Sequence, residues 1–222
     1  MTARTMRAAI FDLDGVIVDT AKYHYLAWKR LARELGFDFS EADNERLKGV
    51  SRTRSLEILL EIGGIDVCEA DREAMAARKN EWYVQYISDM TPDELLPGAV
   101  EYIAFLRSKG IKIALASASK NASLILDRLQ IGVAFDVVVD GTKVSKAKPD
   151  PEVFVRAAAD LGVPNADCVV FEDAEAGVQA AKRAGMGCVG VGKPGNLRDA
   201  EIVITGFEPL LTLNMVPPQP AP

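Results

Sequence analysis

The sequence predicts an α/β fold, a doubly wound parallel sheet with an inserted α-helical domain, and three observations predict it. Short apolar runs at about 8–11, 111–116, 136–139, 168–171 and 188–191 alternate with amphipathic stretches at about 98–109, 121–130, 151–161 and 174–184, the pattern of parallel βαβ units. Between the first two apolar runs lie roughly ninety residues of helical character, too many for one crossover. Two of the runs also end in adjacent acids. Asp12-Leu13-Asp14 follows Ala8-Ala9-Ile10-Phe11, and Glu172-Asp173 follows Cys168-Val169-Val170-Phe171.

Taken in order, the first run is a buried strand, and Gly15 behind its acids permits a sharp exit. Helical stretches at about 21–35, 41–48, 52–62 and 69–88 make up the insertion, with hinges near 16–20 and 90–97. This divides the chain into a core of residues 1–16 and 95–222 and a helical insert of residues 17–94. Ser40 before Glu41-Ala42-Asp43 reads as a capping start. Gly36, Gly63, Gly110 and Gly185 stand where helices stop, and Pro92 and Pro97 break the return segment. Residues 217–222, Pro-Pro-Gln-Pro-Ala-Pro, read as a disordered tail.

With 222 residues, 49% of them hydrophobic, the chain buries a full core. A net charge of −6 argues against a nucleic-acid surface, and an anionic substrate then needs a local basic cluster. No apolar stretch is long enough to span a membrane or to act as a secretory signal, so no membrane partner is expected and the cytoplasm is the expected compartment. The three cysteines, Cys68, Cys168 and Cys188, lack metal-ligand spacing and read as reduced thiols. Residues 187–193 have Walker spacing, but Pro194 stands where the magnesium-binding hydroxyl belongs. The overlapping glycine triplets Gly185-Gly187-Gly190 and Gly190-Gly192-Gly195 lack the strand, helix and acid that a dinucleotide fingerprint requires.

The chemistry gathers at strand ends, where open α/β sheets bind ligands. Carboxylates a few ångström apart repel unless a cation or proton separates them, so Asp12, Asp14, Glu172 and Asp173 suit a magnesium ion. Asp173 also stands where it can cap the following helix. Ser117-Ala118-Ser119-Lys120-Asn121 opens another helix, where free N–H groups favour phosphate, although Ser or Asn there can equally be a simple cap. Lys148-Pro149 opens the next, with Lys146 a competing active lysine. Lys48-Gly49-Val50-Ser51-Arg52 reads as a turn with two cations beside a helix start. His24, the only histidine, shares a helix face with Trp28 close to the first hinge.

These motifs, in this order, resemble the haloacid-dehalogenase superfamily. More narrowly, the stretch from Asp12 through His24 to Trp28, Leu47-Lys48-Gly49-Val50-Ser51-Arg52, Arg78-Lys79-Asn80 and Ala116-Ser117-Ala118-Ser119-Lys120-Asn121 resemble the β-phosphoglucomutase family within it. The resemblance implies that Asp12 is phosphorylated as the nucleophile and Asp14 is the general acid and base. Ser117 and Lys148 then hold the transferring phosphoryl group, and Mg2+ is bound by Asp12, the Asp14 carbonyl, Glu172 and Asp173. It also implies a second phosphate site at Arg52, Ser119, Lys120 and Asn121. Trp28, Lys48, Gly49, Val50, Ser51, Lys79, Ser117 and Ala118 complete the substrate contacts, and His24 with Lys48 links closure of the helical cap to the placement of Asp14. The expected substrates are small hexose phosphates and the expected state is a monomer. A sugar-phosphate phosphatase sharing the same core is the nearest alternative, and a non-catalytic sugar-phosphate sensor is the second.

Overall fold

The computed structural model describes residues 6–193, 195 and 197–217. Within them β1 (Ala8–Phe11), β2 (Lys112–Ala116), β3 (Val137–Val139), β4 (Cys168–Glu172), β5 (Gly187–Val191) and β6 (Ile202–Ile204) form one sheet in the order β3-β2-β1-β4-β5-β6. Every pairing is parallel. The winding direction reverses between β1 and β4, which opens a crevice beyond the carboxyl ends of these strands.

Register decides what lies in that crevice. Phe11 is level with Phe171 on β4 and with Leu115 on β2, and the Phe11 and Phe171 rings stack with centroids 4.6 Å apart. The Asp12 N–H donates to the Phe171 carbonyl at 2.9 Å, so the pairing runs one residue past β1. Side chains alternate between faces. Asp12 and Glu172 therefore follow Ile10 and Val170, which share one apolar cluster, while Phe11 and Phe171 belong to the other.

Helices cover both faces. Alternate apolar positions of α7 (Glu152–Leu161) and α8 (Glu175–Arg183) pack on the Ile10 side. The other side is covered by α5 (Ala99–Ser108), α6 (Ala122–Leu129) and α9 (Glu208–Thr212). Between β1 and β2 come α1 (Ala21–Glu34), α2 (Glu41–Glu45), α3 (Arg52–Gly63) and α4 (Glu69–Ser88), which bury Leu31, Leu59, Tyr83 and Ile87 against one another. The two segments joining these helices to the sheet run side by side. Val18 bridges to Leu95, and the Leu96 N–H donates to the Ile17 carbonyl at 2.9 Å.

Ser40 and Asp43 form a reciprocal capping box at the start of α2, as expected, but that helix ends at Glu45 and the chain then turns towards Gly49. The stop after α3 is Gly64, whose φ of 63° is left-handed. Gly63 is the last helical residue and lies against the Phe37 ring. Neither β6 nor α9 was expected, because runs of 3 and 5 residues are too short to show a period. The glycine-rich run after Gly187 is strand β5, in agreement with rejecting a phosphate loop there. Pro194 and the tail from Pro218 onwards lie outside the described residues.

Gly177 on α8 permits a close approach, since a Cβ there would stand 2.0 Å from the Glu172 carboxyl carbon. Gly to Ala inside a helix ordinarily stabilises by about 1 kcal/mol. Gly177→Ala is expected to do the reverse, lowering the midpoint of urea unfolding.

Candidate active site

The loop before α7 brings Lys148 beneath the crevice, where it is 4% exposed. Its Nζ donates to Asp12 Oδ1 at 2.6 Å and to Glu172 Oε2 at 2.7 Å. Burial alone would lower the pKa of this ammonium, but the Asp12 and Glu172 carboxylates outweigh it and the net shift is upward. Lys146, the competing lysine, is exposed and lies 3.6 Å from Asp150. Only Lys148 reaches the acids.

One lysine does not neutralise the cluster. Burial, with the Asp12 charge added, lifts Asp14 to about 6, against the lowering effects of Thr20 and Lys148. Burial lifts Glu172 to about 7 although Lys148 opposes it. Asp173 is raised well above the ordinary carboxylate range by burial and then by Glu172 and Asp12. Carboxylate oxygens of Asp12, Glu172 and Asp173 lie within 4.8 Å of one another, and no side-chain hydrogen bond or ion pair ends on Asp173 among the described residues. Three converging oxygens of this kind fit a hard divalent cation. Asp173 does not cap α8. Ala174 occupies the cap position, and its own N–H donates to Glu172 Oε1 at 3.1 Å.

Above the acids lies a cavity of ≈ 670 Å³. Asp12, Asp14, Lys148 and Asp173 line it, as do Ala118, Ser119, Lys120 and Asn121. His24, Trp28, Lys48, Gly49, Val50, Ser51, Arg52 and Lys79 line it from the helical insertion. Ser117 and Glu172 are buried and do not line it. The Ser117 hydroxyl accepts from the Ser119 N–H at 3.0 Å, and the Ser119 hydroxyl accepts from the Asn121 N–H at 3.2 Å. Ser51 caps α3, accepting from the Arg54 N–H at 3.2 Å. Gly49 approaches the sheet domain so closely that a Cβ there would fall 2.7 Å from that of Ala174. The turn after α2 therefore rests on the residue just beyond the Glu172-Asp173 pair.

His24 and Lys48, which the resemblance links to cap closure, have different partners. Lys48 pairs with Glu45 at 2.9 Å, whereas Lys79 Nζ lies 2.9 Å from His24 Nδ1 and 4.4 Å from the Trp28 ring centroid. His24 also stacks on Tyr83, with centroids 4.1 Å apart. Burial, then the charges of Lys79 and Arg52, hold the His24 pKa well below its ordinary value, and burial, then the Arg52 charge, lower that of Lys79. Sequence reasoning passed over Thr20, whose hydroxyl donates to Asp14 Oδ1, and Asn80, whose Oδ1 accepts from Asn121 Nδ2 at 2.9 Å. The only signal for Thr20 is its place between the first hinge and α1. Asn80 adjoins Lys79 in a motif from which the lysine alone was taken.

A family model described as haloacid dehalogenase-like hydrolase matches residues 6–185. The chain belongs to the haloacid dehalogenase-like hydrolase family. It is 49% identical over 201 residues to the β-phosphoglucomutase of Bacillus subtilis (strain 168), covering 90% of this chain and 89% of that one. It is 36% identical over 183 residues to the phosphorylated carbohydrates phosphatase of Thermotoga maritima, covering 82% of each. The crystal structure of β-phosphoglucomutase from Clostridium difficile superposes with a TM-score of 0.88 at 43% identity, covering 93% of both chains.

The raised carboxylates make the effect of a divalent cation depend on pH. Between their ordinary values of 3.8 and 4.5 and the values of about 6 and about 7 at Asp14 and Glu172, the folded chain holds protons that the unfolded chain has released. The stability these acids contribute therefore falls as pH rises through that window. A cation held by Asp12, Glu172 and Asp173 would take the place of protons at the cluster. Adding magnesium is accordingly expected to raise the thermal midpoint more at about pH 8 than at about pH 5. Scanning calorimetry with and without magnesium checks this.

Proposed function

We propose that this chain interconverts β-D-glucose 1-phosphate and D-glucose 6-phosphate through a phosphorylated Asp12 and a β-glucose 1,6-bisphosphate intermediate. The observation that carries the reading is one cavity lined both by Asp12 with Lys148 and by Arg52, Ser119, Lys120 and Asn121, which in this reading serve the two phosphates of one substrate. A substrate that presents first one end and then the other to the same nucleophile needs both. The 49% identity to the B. subtilis β-phosphoglucomutase supports the same reaction.

In this reading residues 17–94 form a cap domain over a core of residues 1–16 and 95–222, and the paired segments around Val18 and Leu95 are its hinge. Asp12, the Asp14 main-chain carbonyl, Glu172 and Asp173 would hold magnesium, which would offset the negative charge that separates a carboxylate from a phosphate. Lys148 and Ser117 hold the phosphoryl oxygens in line with Asp12. Phosphoryl transfer needs positioning and charge stabilisation more than covalent help. Starting from the phosphorylated form, the 6-hydroxyl of β-glucose 1-phosphate attacks the phosphorus, Asp14 takes the hydroxyl proton, and the carboxylate of Asp12 leaves. The bisphosphate then reverses end for end. Asp12 attacks the phosphate on O1, Asp14 returns the proton to O1, and glucose 6-phosphate departs from a rephosphorylated Asp12. Main-chain groups of Gly49, Val50 and Ala118, the Ser51 hydroxyl, Lys48, Lys79 and Trp28 hold the sugar. Arg52, Ser119, Lys120 and Asn121 hold the phosphate that is not reacting.

Water is the competing nucleophile, and a smaller one. Selection against it comes from assembling the acid/base group only when a sugar phosphate closes the cap, which is induced fit. His24 sits at that junction, fixed by Lys79 and Tyr83. His24→Ala is expected to lower the ratio of isomerisation to phosphoenzyme hydrolysis about tenfold or more. An unchanged ratio would remove His24 from the closing mechanism.

The second reading, a phosphatase acting on sugar phosphates, has the 36% identical T. maritima relative in its favour. Product analysis separates the two. With magnesium, β-glucose 1-phosphate and a trace of glucose 1,6-bisphosphate, the isomerase forms glucose 6-phosphate without matching inorganic phosphate. A phosphatase releases inorganic phosphate in step with substrate loss.

A further inference from the structure

Asn121 occupies the position before α6 where a side-chain cap is expected, yet it makes none. Its Nδ2 instead donates to Oδ1 of Asn80, on α4, at 2.9 Å. Neighbouring positions on a helix point about 100° apart, and α4 uses this. Lys79 turns to His24 and Trp28 within the helical insertion, while Asn80 turns to the loop that ends β2. No other side-chain hydrogen bond or ion pair joins residues 21–88 to residues 6–15 or 98–217 among the described residues. Both asparagines line the cavity. Arg52 lines it as well and pairs with no carboxylate among the described residues, which leaves a cation free to meet an anion between the two sides.

A carboxamide has one donating end and one accepting end. With Asn80 Oδ1 accepting one Nδ2 proton of Asn121, the donating end of Asn121 lies on that side and the second N–H of the same nitrogen is available to a ligand. A phosphate dianion can only accept. Turned over, the Asn121 carboxamide would present its oxygen to that anion and repel it.

We propose that Asn80 is a positioning residue: it orients the Asn121 carboxamide so that an N–H, and not the oxygen, meets the phosphate of the substrate remote from Asp12. This inference builds on the two-ended substrate argued under the proposed function. It also gives α4 a means of reading whether that remote phosphate is present, because the bond between the asparagines exists only with the insertion lying over the sheet domain.

The test is a double-mutant cycle read by binding. In an Asp12→Asn background with magnesium, calorimetric titration with glucose 1,6-bisphosphate is expected to show Asn80→Ala weakening affinity about tenfold, the effect of losing one hydrogen bond to a charged group. With Asn121→Ala already present, the same change is expected to alter affinity by less than about twofold. In the chain with Asp12 intact, phosphorylation by acetyl phosphate, which carries no second phosphate, should proceed at a rate within about twofold of the unsubstituted chain. Asn80→Ser serves in the same cycle should the alanine variant not fold. Equal losses of affinity in both backgrounds, no loss in either, or an equally slowed reaction with acetyl phosphate overturns the proposal. A chain that binds the bisphosphate and shows the coupling but fails to isomerise glucose phosphates overturns only the isomerase reading. Isomerisation without coupling overturns only the role of Asn80.

Discussion

Carboxylates that share a buried crevice repel one another, and the structure at the ends of β1 and β4 follows from how that repulsion is offset. At the 4.8 Å within which oxygens of Asp12, Glu172 and Asp173 gather, one pair of unit charges costs about 3 kcal/mol at an effective dielectric of about 20. Lys148 answers two of the three acids directly. Burial first, and then the neighbouring carboxylates, push Asp14, Glu172 and Asp173 upward, and ionised together with Asp12 these acids outnumber the single charge of Lys148. That excess is what makes the place receptive to a divalent cation, and through the cation to a phosphate.

Geometry keeps the acids together. In-step pairing of β1 with β4 puts Asp12 and Glu172 side by side at the point where the winding reverses, and the stacked Phe11 and Phe171 rings hold that register from the opposite face. Gly15, with φ of 77°, turns the chain where a Cβ would strike Asp173, so the second acid pair lies directly against the first. The helical insertion then supplies what the sheet lacks. Arg52 provides a cation that lines the cavity, and His24 packs with Lys79 and Tyr83 beside it. Thr20, at the start of α1, ties Asp14 to the first helix of the insertion.

Much of this was legible in the sequence because the signals were long or chemically costly. Apolar runs of 4 or 5 residues with acids behind them announced β1 and β4, and the stretch from residue 21 to residue 88 announced the insertion by its length and period. Helix α2 came out shorter because the capping box states where a helix begins but nothing in its composition states where it ends. Strand β6 and helix α9 are too short for periodicity and exist through packing of Ile204, Phe207 and Leu210 on the finished sheet. In the site, the residues carrying charge were visible one by one. The pairing between them was not. That His24 turns to Lys79 rather than towards Lys48, and that Asn121 turns to Asn80 rather than to its own helix, depends on how α4 lies across residues far away in the chain. No local pattern encodes that.

The most direct test of the central claim is the site and cation dependence of phosphorylation. Intact-mass and peptide mass spectrometry of the chain after brief exposure to acetyl phosphate with magnesium should show one added phosphoryl group, carried by Asp12. The addition should be lost in Asp12→Asn and fall steeply when the cation is chelated. A phosphoryl group on a residue other than Asp12, or labelling that persists unchanged without the cation, would contradict the account.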